Sequence, residues 1–166
     1  MTFADLLPGE AVFVDANTLT YHFQPHPRWG LPCTGLLRRI ENQELIGFTS
    51  THVLSEVSHR LMTIQASALF GWPFAGIGNR LRTNPAEVQK LNAFRQAIDQ
   101  LLRSRLQVLT ILPPLLATAA AVSQQLGPLT NDGLIVAVMQ ANGLARIASS
   151  ETDFDRVPGL TRYAPG

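Results

Sequence analysis

Four short apolar runs alternate with longer helical patterns along the chain, and this alternation limits the possible fold more than any other feature. The runs cover residues 10–15, 45–49, 106–112 and 145–149. Each is short, continuous and partly β-branched, as buried strands are. Strands that alternate with helices pair in parallel through right-handed crossovers. We therefore expect one domain over residues 1–166, a three-layer α/β/α sandwich with a central parallel sheet of four to five strands.

The segments between the apolar runs carry helical patterns. Ser50 or Thr51 is expected to cap a helix whose apolar residues recur at helical spacing, and Thr130 or Asn131 is expected to cap the last helix. The other predicted helices follow from similar spacing and from proline at their first turn. Their predicted ranges are 17–23, 34–42, 85–105, 113–126 and 132–142.

Two segments lack such a pattern. Residues 70–83 combine glycine, proline and three aromatic residues, which predicts a loop or lid with aromatic anchors. Residues 156–166 contain a Pro-Gly turn and are expected to form an irregular tail.

Five acidic residues stand close to the ends of the predicted strands or in the helices that follow them. Asp15 ends the first strand, which would be the central one in a doubly wound order. Because the carboxyl ends of parallel strands line one crevice, these acids are expected to converge. Clustered carboxylates repel one another, and a hard divalent cation offsets that repulsion best. The five are Asp15, Glu56, Asp132, Glu151 and Asp153.

Composition describes a compact globular chain, with 46% hydrophobic and 15% charged residues. Cys33 is the single cysteine, so an internal disulfide is impossible and a reducing compartment is expected. We expect no signal peptide, no membrane span and a cytoplasmic location. Net charge is +1, so no overall basic field attracts nucleic acid, although residues 61–110 hold six basic and two acidic residues.

The order of four motifs resembles the PIN domain, a metal-dependent ribonuclease fold, and within it the VapC-type toxins. VFVDANTL at 12–19 resembles the opening strand with its first acid, and THVLSEV at 51–57 resembles the helix with the second. LTNDGLIVA at 129–137 and IASSETDF at 147–154 resemble the closing half. The family more often has threonine where Ser149 stands and aspartate where Glu151 stands, and residues 69–83 look longer than a minimal toxin needs.

The resemblance implies a divalent-metal-dependent endoribonuclease that uses Mg²⁺ or Mn²⁺. Asp15 and Asp132 would be the principal ligands, directly or through water, and Glu151 or Asp153 would complete the set. Glu56 would bind a second ion or orient the attacking water. The residues expected to support the carboxylates or water by hydrogen bonds are Asn17, Thr18 and Ser149. The expected partners are an RNA substrate, a small antitoxin and a second copy of the chain.

Other interpretations stay open on the sequence. Asp15 could cap the following helix, and Asp132 could be an ordinary acid in a first helical turn. His52 and His59 lie on one helix face with Glu56, where a zinc trio is conceivable. The strand end at Asp15 also resembles the first motif of haloacid-dehalogenase-type phosphatases, and a PIN fold that binds RNA or protein without cutting is a further alternative.

Overall fold

The computed structural model of the protein describes residues 1–24, 26–127 and 130–166. Five parallel strands form one sheet in the order β3-β2-β1-β4-β5. β1 is therefore the central strand, as the sequence predicts. The strands are β1 (Ala11–Val14), β2 (Ile46–Ser50), β3 (Gln107–Leu109), β4 (Arg146–Ala148) and β5 (Thr161–Tyr163).

Helices flank the sheet on both faces and complete the predicted α/β/α sandwich. One group consists of α1, α2, α3 and α6, which pack together, and the other consists of α7 and α8. Because the chain reverses its direction across the sheet after β3, right-handed crossovers place the two groups on opposite faces. The helices are α1 (Ala16–Phe23), α2 (Gly30–Glu41), α3 (Thr51–Phe70), α4 (Ile77–Thr83), α5 (Pro85–Val88), α6 (Ala93–Arg103), α7 (Pro113–Leu126) and α8 (Thr130–Ala141).

The core lies on both faces of the central strand. Val12, Phe13 and Val14 are fully buried, as expected for a strand covered by helices on each side. β1 lies between β2 and β4, with Phe13 opposite both Phe48 and Ile147. This pairing brings the carboxyl ends of β1 and β4 side by side, and the candidate site residues lie at that edge.

The predicted cap of the long helix α3 is Ser50 rather than Thr51. The Ser50 hydroxyl accepts a hydrogen bond from the Val53 N–H at 3.3 Å, which satisfies one of the free donors of the first turn. α8 begins at Thr130, so Thr130 and Asn131 lie inside the helix, and the residue before it is outside the described residues. No described helix has the length and apolarity that crossing a bilayer requires.

The prediction of a loop or lid over residues 70–83 is wrong for much of that segment. α3 continues to Phe70, and α4 starts at Ile77 after Gly76, whose φ of +74° turns the chain at little steric cost. Ile77 and Leu81, one turn apart, bury their side chains in a small cluster beside α3. The aromatic anchors are Phe70 and Trp72, with ring centroids 4.9 Å apart, whereas Phe74 is 63% exposed.

The single helix predicted over residues 85–105 is two helices, α5 and α6. The break has a tertiary cause, because the side-chain oxygen of Gln65 on α3 accepts hydrogen bonds from the N–H groups of Asn92 and Ala93 at 3.0 and 2.9 Å. These N–H groups are free at the start of α6, and a capping partner from another helix satisfies them. The spacing of apolar residues within 85–105 cannot indicate this break, because the capping residue, Gln65, lies outside the segment.

The predicted irregular tail contains the fifth strand. β5 is only three residues long and pairs with β4 from Arg146↔Thr161 to Ala148↔Tyr163. Arg162 reinforces this edge by donating to Asp155 through two nitrogens at 2.8 Å each and to the carbonyl of Ser149 at 3.2 Å. A strand this short shows no alternation in the sequence, so its partner determines it.

Candidate active site

Asp15 lies immediately after the central strand and caps α1. Its side chain is only 4% exposed. The carboxylate accepts three hydrogen bonds, from the N–H of Ala16 at 2.6 Å, from Nδ2 of Asn17 at 2.6 Å and from Oγ of Ser149 at 2.7 Å. Asp15 is thus the helix cap that one interpretation expected. It also accepts hydrogen bonds from the side chains of Asn17 and Ser149, which capping does not require.

Burial raises the pKa of Asp15 from its ordinary 3.8 to about 6. The hydrogen bonds from Ser149 and Ala16 act in the opposite direction, since they stabilise the ionised form. The negative charge of Glu56 raises the pKa further, and the positive charge of Arg60 lowers it. A buried carboxylate with this balance is one that a bound cation would stabilise in its charged form.

Ser149 and Asn17 hold the Asp15 carboxylate from the neighbouring strand and the neighbouring helix. Ser149 is fully buried after β4, and its hydroxyl also accepts from Nδ2 of Asn17 and from the N–H of Glu151, both at 3.0 Å. The side-chain oxygen of Asn17 accepts from the N–H of Ser150 at 3.0 Å. This network fixes the turn after β4 against the turn after β1.

Thr18 differs from the other two residues expected to support the site. Its hydroxyl donates to the carbonyl of Ala148 at 3.0 Å, and the side-chain oxygen of Asn17 lies 3.3 Å from the same hydroxyl. It makes no hydrogen bond to the Asp15 carboxylate. Thr18 therefore ties α1 to the end of β4 and reaches Asp15 only through Asn17.

Asp132 lies in the first turn of α8, half-buried. Burial raises its pKa to about 6, and the negative charges of Glu151, Glu56 and Asp153 raise it further. The charges of these three carboxylates therefore reach Asp132 on α8, although they come from α3 and from the segment after β4. A helix N-terminus favours a negative charge, which is the reason to expect an ordinary acid in the first turn of α8. That effect does not account for the three further negative charges near Asp132.

Glu151 and Asp153 lie on the turn after β4, where the sequence places them. Glu151 is exposed and precedes the short 3₁₀ helix Thr152–Arg156. Asp153 contacts Arg156, with a nitrogen–oxygen distance of 3.4 Å between two largely exposed side chains. Glu151 has no ion-pair partner among the described residues.

Glu56 is bound by an arginine that the sequence interpretation missed. Nε and Nη2 of Arg60 both donate to Oε1 of Glu56, at 3.0 and 2.6 Å. The positive charge of Arg60 lowers the pKa values of both Asp15 and Asp132. The signal was present in the sequence, because Glu56 and Arg60 are four residues apart on a predicted helix and such pairs face each other.

The donor set suits a hard divalent cation that retains several waters. Among the described residues, no three His, Cys, Asp or Glu side chains are grouped closely enough to hold a metal ion by themselves. This counts equally against a zinc trio of His52, Glu56 and His59 and against a preformed site of three carboxylates. Mg²⁺ is commonly held by one or two carboxylates with water in its other positions. Asp15 and Asp132 are the carboxylates expected in that role, and because burial raises the pKa of each to about 6, a cation would compete with protons for them.

Comparison with known proteins gives one family match. The PIN domain family model matches residues 12–160, whereas the search of curated proteins finds no significant match.

Several solved structures share the fold. VapBC2 from Rickettsia felis, in a structure with a DNA fragment from the VapBC2 promoter, aligns with a TM-score of 0.59 at 16% identity, over 93% of this chain and 98% of that chain. FitAcB from Neisseria gonorrhoeae aligns with a TM-score of 0.56 at 16% identity, over 93% and 97%. VapC20 from Mycobacterium tuberculosis, described as a sarcin-ricin loop cleaving toxin, aligns with a TM-score of 0.54 at 16% identity, over 82% and 86%.

Identity this low shows the fold alone, but the family model covers most of the chain and both acid-bearing ends of it. A phosphatase of the haloacid-dehalogenase type is not supported, because its second aspartate is replaced here by Asn17, which is bonded to Asp15. The chain belongs to the PIN domain family.

Proposed function

We propose that this protein is a divalent-metal-dependent endoribonuclease and the toxin component of a VapBC-like type II toxin–antitoxin system. One observation carries the proposal. Asp15 and Asp132 come from opposite ends of the chain, and both have pKa values raised to about 6 by burial, with Glu56 adding to both. Both carboxyls are influenced by the same Glu56 and Arg60, and strongly perturbed pKa values cluster at functional sites.

Asp15 and Asp132 are the proposed principal ligands of Mg²⁺ or Mn²⁺, either directly or through water. Glu151 or Asp153 completes the set from the turn after β4. When bound, such an ion lowers the pKa of a coordinated water and neutralises charge on the phosphate.

The protein's own side chains prepare this site before substrate binds. Ser149 and Asn17 donate to the same oxygen of Asp15, Oδ2, which leaves Oδ1 with only the N–H of Ala16. A carboxylate fixed in this way needs no reorientation when a cation or a phosphate arrives. Glu56 is proposed either to bind a second ion or to accept a hydrogen bond from the attacking water and so orient it toward phosphorus.

The proposed partners are RNA, a small antitoxin and a second copy of the chain, and RNA substrates would place the activity in the cytoplasm. Likeness of fold to VapBC2 and to the sarcin-ricin loop cleaving toxin VapC20 supports the antitoxin and the RNA substrate, and the second copy of the chain stays a prediction. An antitoxin peptide with a basic residue would complement the acidic edge formed by Glu151, Asp132 and Asp153.

Cleavage of a mixed pool of structured and single-stranded RNA tests the activity. Purified protein in Mg²⁺, in Mn²⁺ and in EDTA is compared with Asp15→Asn and with Asp99→Asn, which removes an exposed acid of α6. We expect cleavage that requires metal, disappears with Asp15→Asn and persists with Asp99→Asn. No cleavage by folded, inhibitor-free protein in any metal would favour a PIN fold that binds RNA or protein without cutting.

Expression in a bacterial host tests the toxin assignment. Wild-type protein expressed alone is expected to slow growth, and Asp132→Asn is expected to relieve that effect at equal protein levels. Persistent toxicity of the folded Asp132→Asn protein would contradict a role for Asp132 in cleavage.

A further inference from the structure

In the ion pair between Glu56 and Arg60, only one of the two carboxylate oxygens of Glu56 is bound. Both nitrogen donors of Arg60 bind one oxygen, Oε1, at 3.0 and 2.6 Å. Oε2 makes no hydrogen bond to any described residue. The glutamate side chain is 23% exposed and the arginine 37% exposed, so solvent reaches the pair without fully screening it. Glu56 is thus held through one oxygen and has the other free.

The guanidinium of Arg60 also contributes positive charge to the rest of the acidic site. It acts on Asp15 and Asp132 in the direction opposite to that of Glu56. Arg60 is therefore close enough to three of the five candidate acids to offset part of their repulsion. A second divalent cation would offset the same repulsion between carboxylates.

We propose that Arg60 is a positioning residue that reserves Glu56 for orienting water and restricts the site to a single divalent ion. A second ion at Glu56 would have to displace two charge-assisted hydrogen bonds and lie next to a permanent positive charge. A water molecule at Oε2 needs neither change. The inference rests on the proposed metal-dependent function and assigns Glu56 to one of the two roles open to it.

Counting bound Mn²⁺ on the full-length, metal-free protein tests the inference without using activity. Electron paramagnetic resonance measures free Mn²⁺ during titration, and calorimetry gives the affinities. Wild type is expected to bind one ion per chain. Arg60→Gln is expected to bind a second ion at least about tenfold more tightly than wild type does, because a unit positive charge near that position is gone.

Three further variants separate charge from structure. Arg60→Lys keeps the charge and is expected to bind one ion, as wild type does. Glu56→Gln combined with Arg60→Gln is expected to return to one ion, since the carboxylate that would bind the second ion is absent. Arg146→Gln is the matched control: Arg146 is 38% exposed and pairs with Glu10 at 2.9 Å, at the amino ends of β4 and β1, whereas the candidate site lies at their carboxyl ends.

The outcomes are distinct. Two ions bound by wild type, or one ion of unchanged affinity bound by folded Arg60→Gln, would overturn the single-ion inference and leave the nuclease proposal intact. A second ion that also appears with Arg146→Gln would overturn it as well. No Mn²⁺ bound by wild type would refute the metal-dependent function itself, and the role proposed for Arg60 with it.

Discussion

Replacing Asp15 with asparagine is expected to stabilise the metal-free protein at neutral pH while it abolishes the proposed activity. Burial raises the pKa of this carboxyl from 3.8 to about 6. Keeping it ionised in the folded protein therefore opposes folding, and the neutral amide removes that opposition. The variant has nearly the same shape as the carboxylate, so the surrounding core needs little adjustment.

The size of the effect follows from the pKa and from the hydrogen bonds. A pKa that is roughly two units higher in the folded protein costs about 3 kcal/mol above pH 6, at about 1.36 kcal/mol per unit. With the amide oxygen at the position of Oδ2, the asparagine still accepts hydrogen bonds from Asn17 and Ser149. Its NH₂ group then faces the N–H of Ala16, which loses about one hydrogen bond, or ~1 kcal/mol. The net gain is about 2 kcal/mol.

The dependence on pH gives this prediction its sign. Because the folded pKa lies above the unfolded value, the folded state binds more protons between about pH 4 and pH 6, and wild-type stability falls as pH rises through that window. The penalty is absent below about pH 4 and complete above about pH 6. Asp15→Asn is therefore expected to be more stable than wild type at pH 7.5 and slightly less stable at pH 4.

Urea unfolding in EDTA at both pH values measures the difference. Asp99→Asn serves as control, because it removes an exposed carboxylate of α6 without touching the site. If Asp15→Asn were less stable than wild type at pH 7.5, or if the difference were the same at both pH values, the argument from buried charge would be refuted.

Three further predictions use other measurements. Ser149→Ala is expected to destabilise the protein by about 2–4 kcal/mol in urea unfolding, because it removes a charge-assisted bond to Asp15 and leaves buried donors unpaired; a loss under about 1 kcal/mol would contradict this. Mn²⁺ affinity in calorimetry is expected to fall about tenfold per carboxylate from pH 7.5 to pH 5, since protons compete for Asp15 and Asp132; equal affinities would count against both as ligands. Gly133→Ala places a Cβ 2.6 Å from a side-chain oxygen and 2.8 Å from a carbonyl oxygen of α7, so a loss of about 1–3 kcal/mol is expected, whereas Gly35→Ala in α2, with open space around it, should gain about 0.5–1 kcal/mol.

Much of the fold was predictable because its signals are local. The apolar run before Asp15 predicted the buried central strand, and Ser50 predicted the start of α3 through an ordinary capping bond. The segments that the sequence did not predict depend on distant partners. α6 begins where Gln65 of α3 caps it, and β5 exists because β4 supplies its hydrogen bonds.

The candidate site divides in the same way. Each of the five acids could be proposed from its place after a strand or early in a helix, and the order of motifs indicated the family. Their mutual effect could not be proposed with any magnitude, since it depends on burial and on separation in space. Arg60 was accessible from its spacing to Glu56, but its influence on Asp15 and Asp132 required the packed helices.

The sequence alone determined which side chains stand at the ends of the strands and that these strands pair in parallel, since apolar periodicity and caps act within a few residues. Tertiary structure alone decided that Ser149 and Asn17 share one oxygen of Asp15 and that burial raises the pKa of that carboxyl to about 6. Desolvation and charge coupling depend on the distances between residues far apart in the chain, and only the packed sheet and helices set those distances.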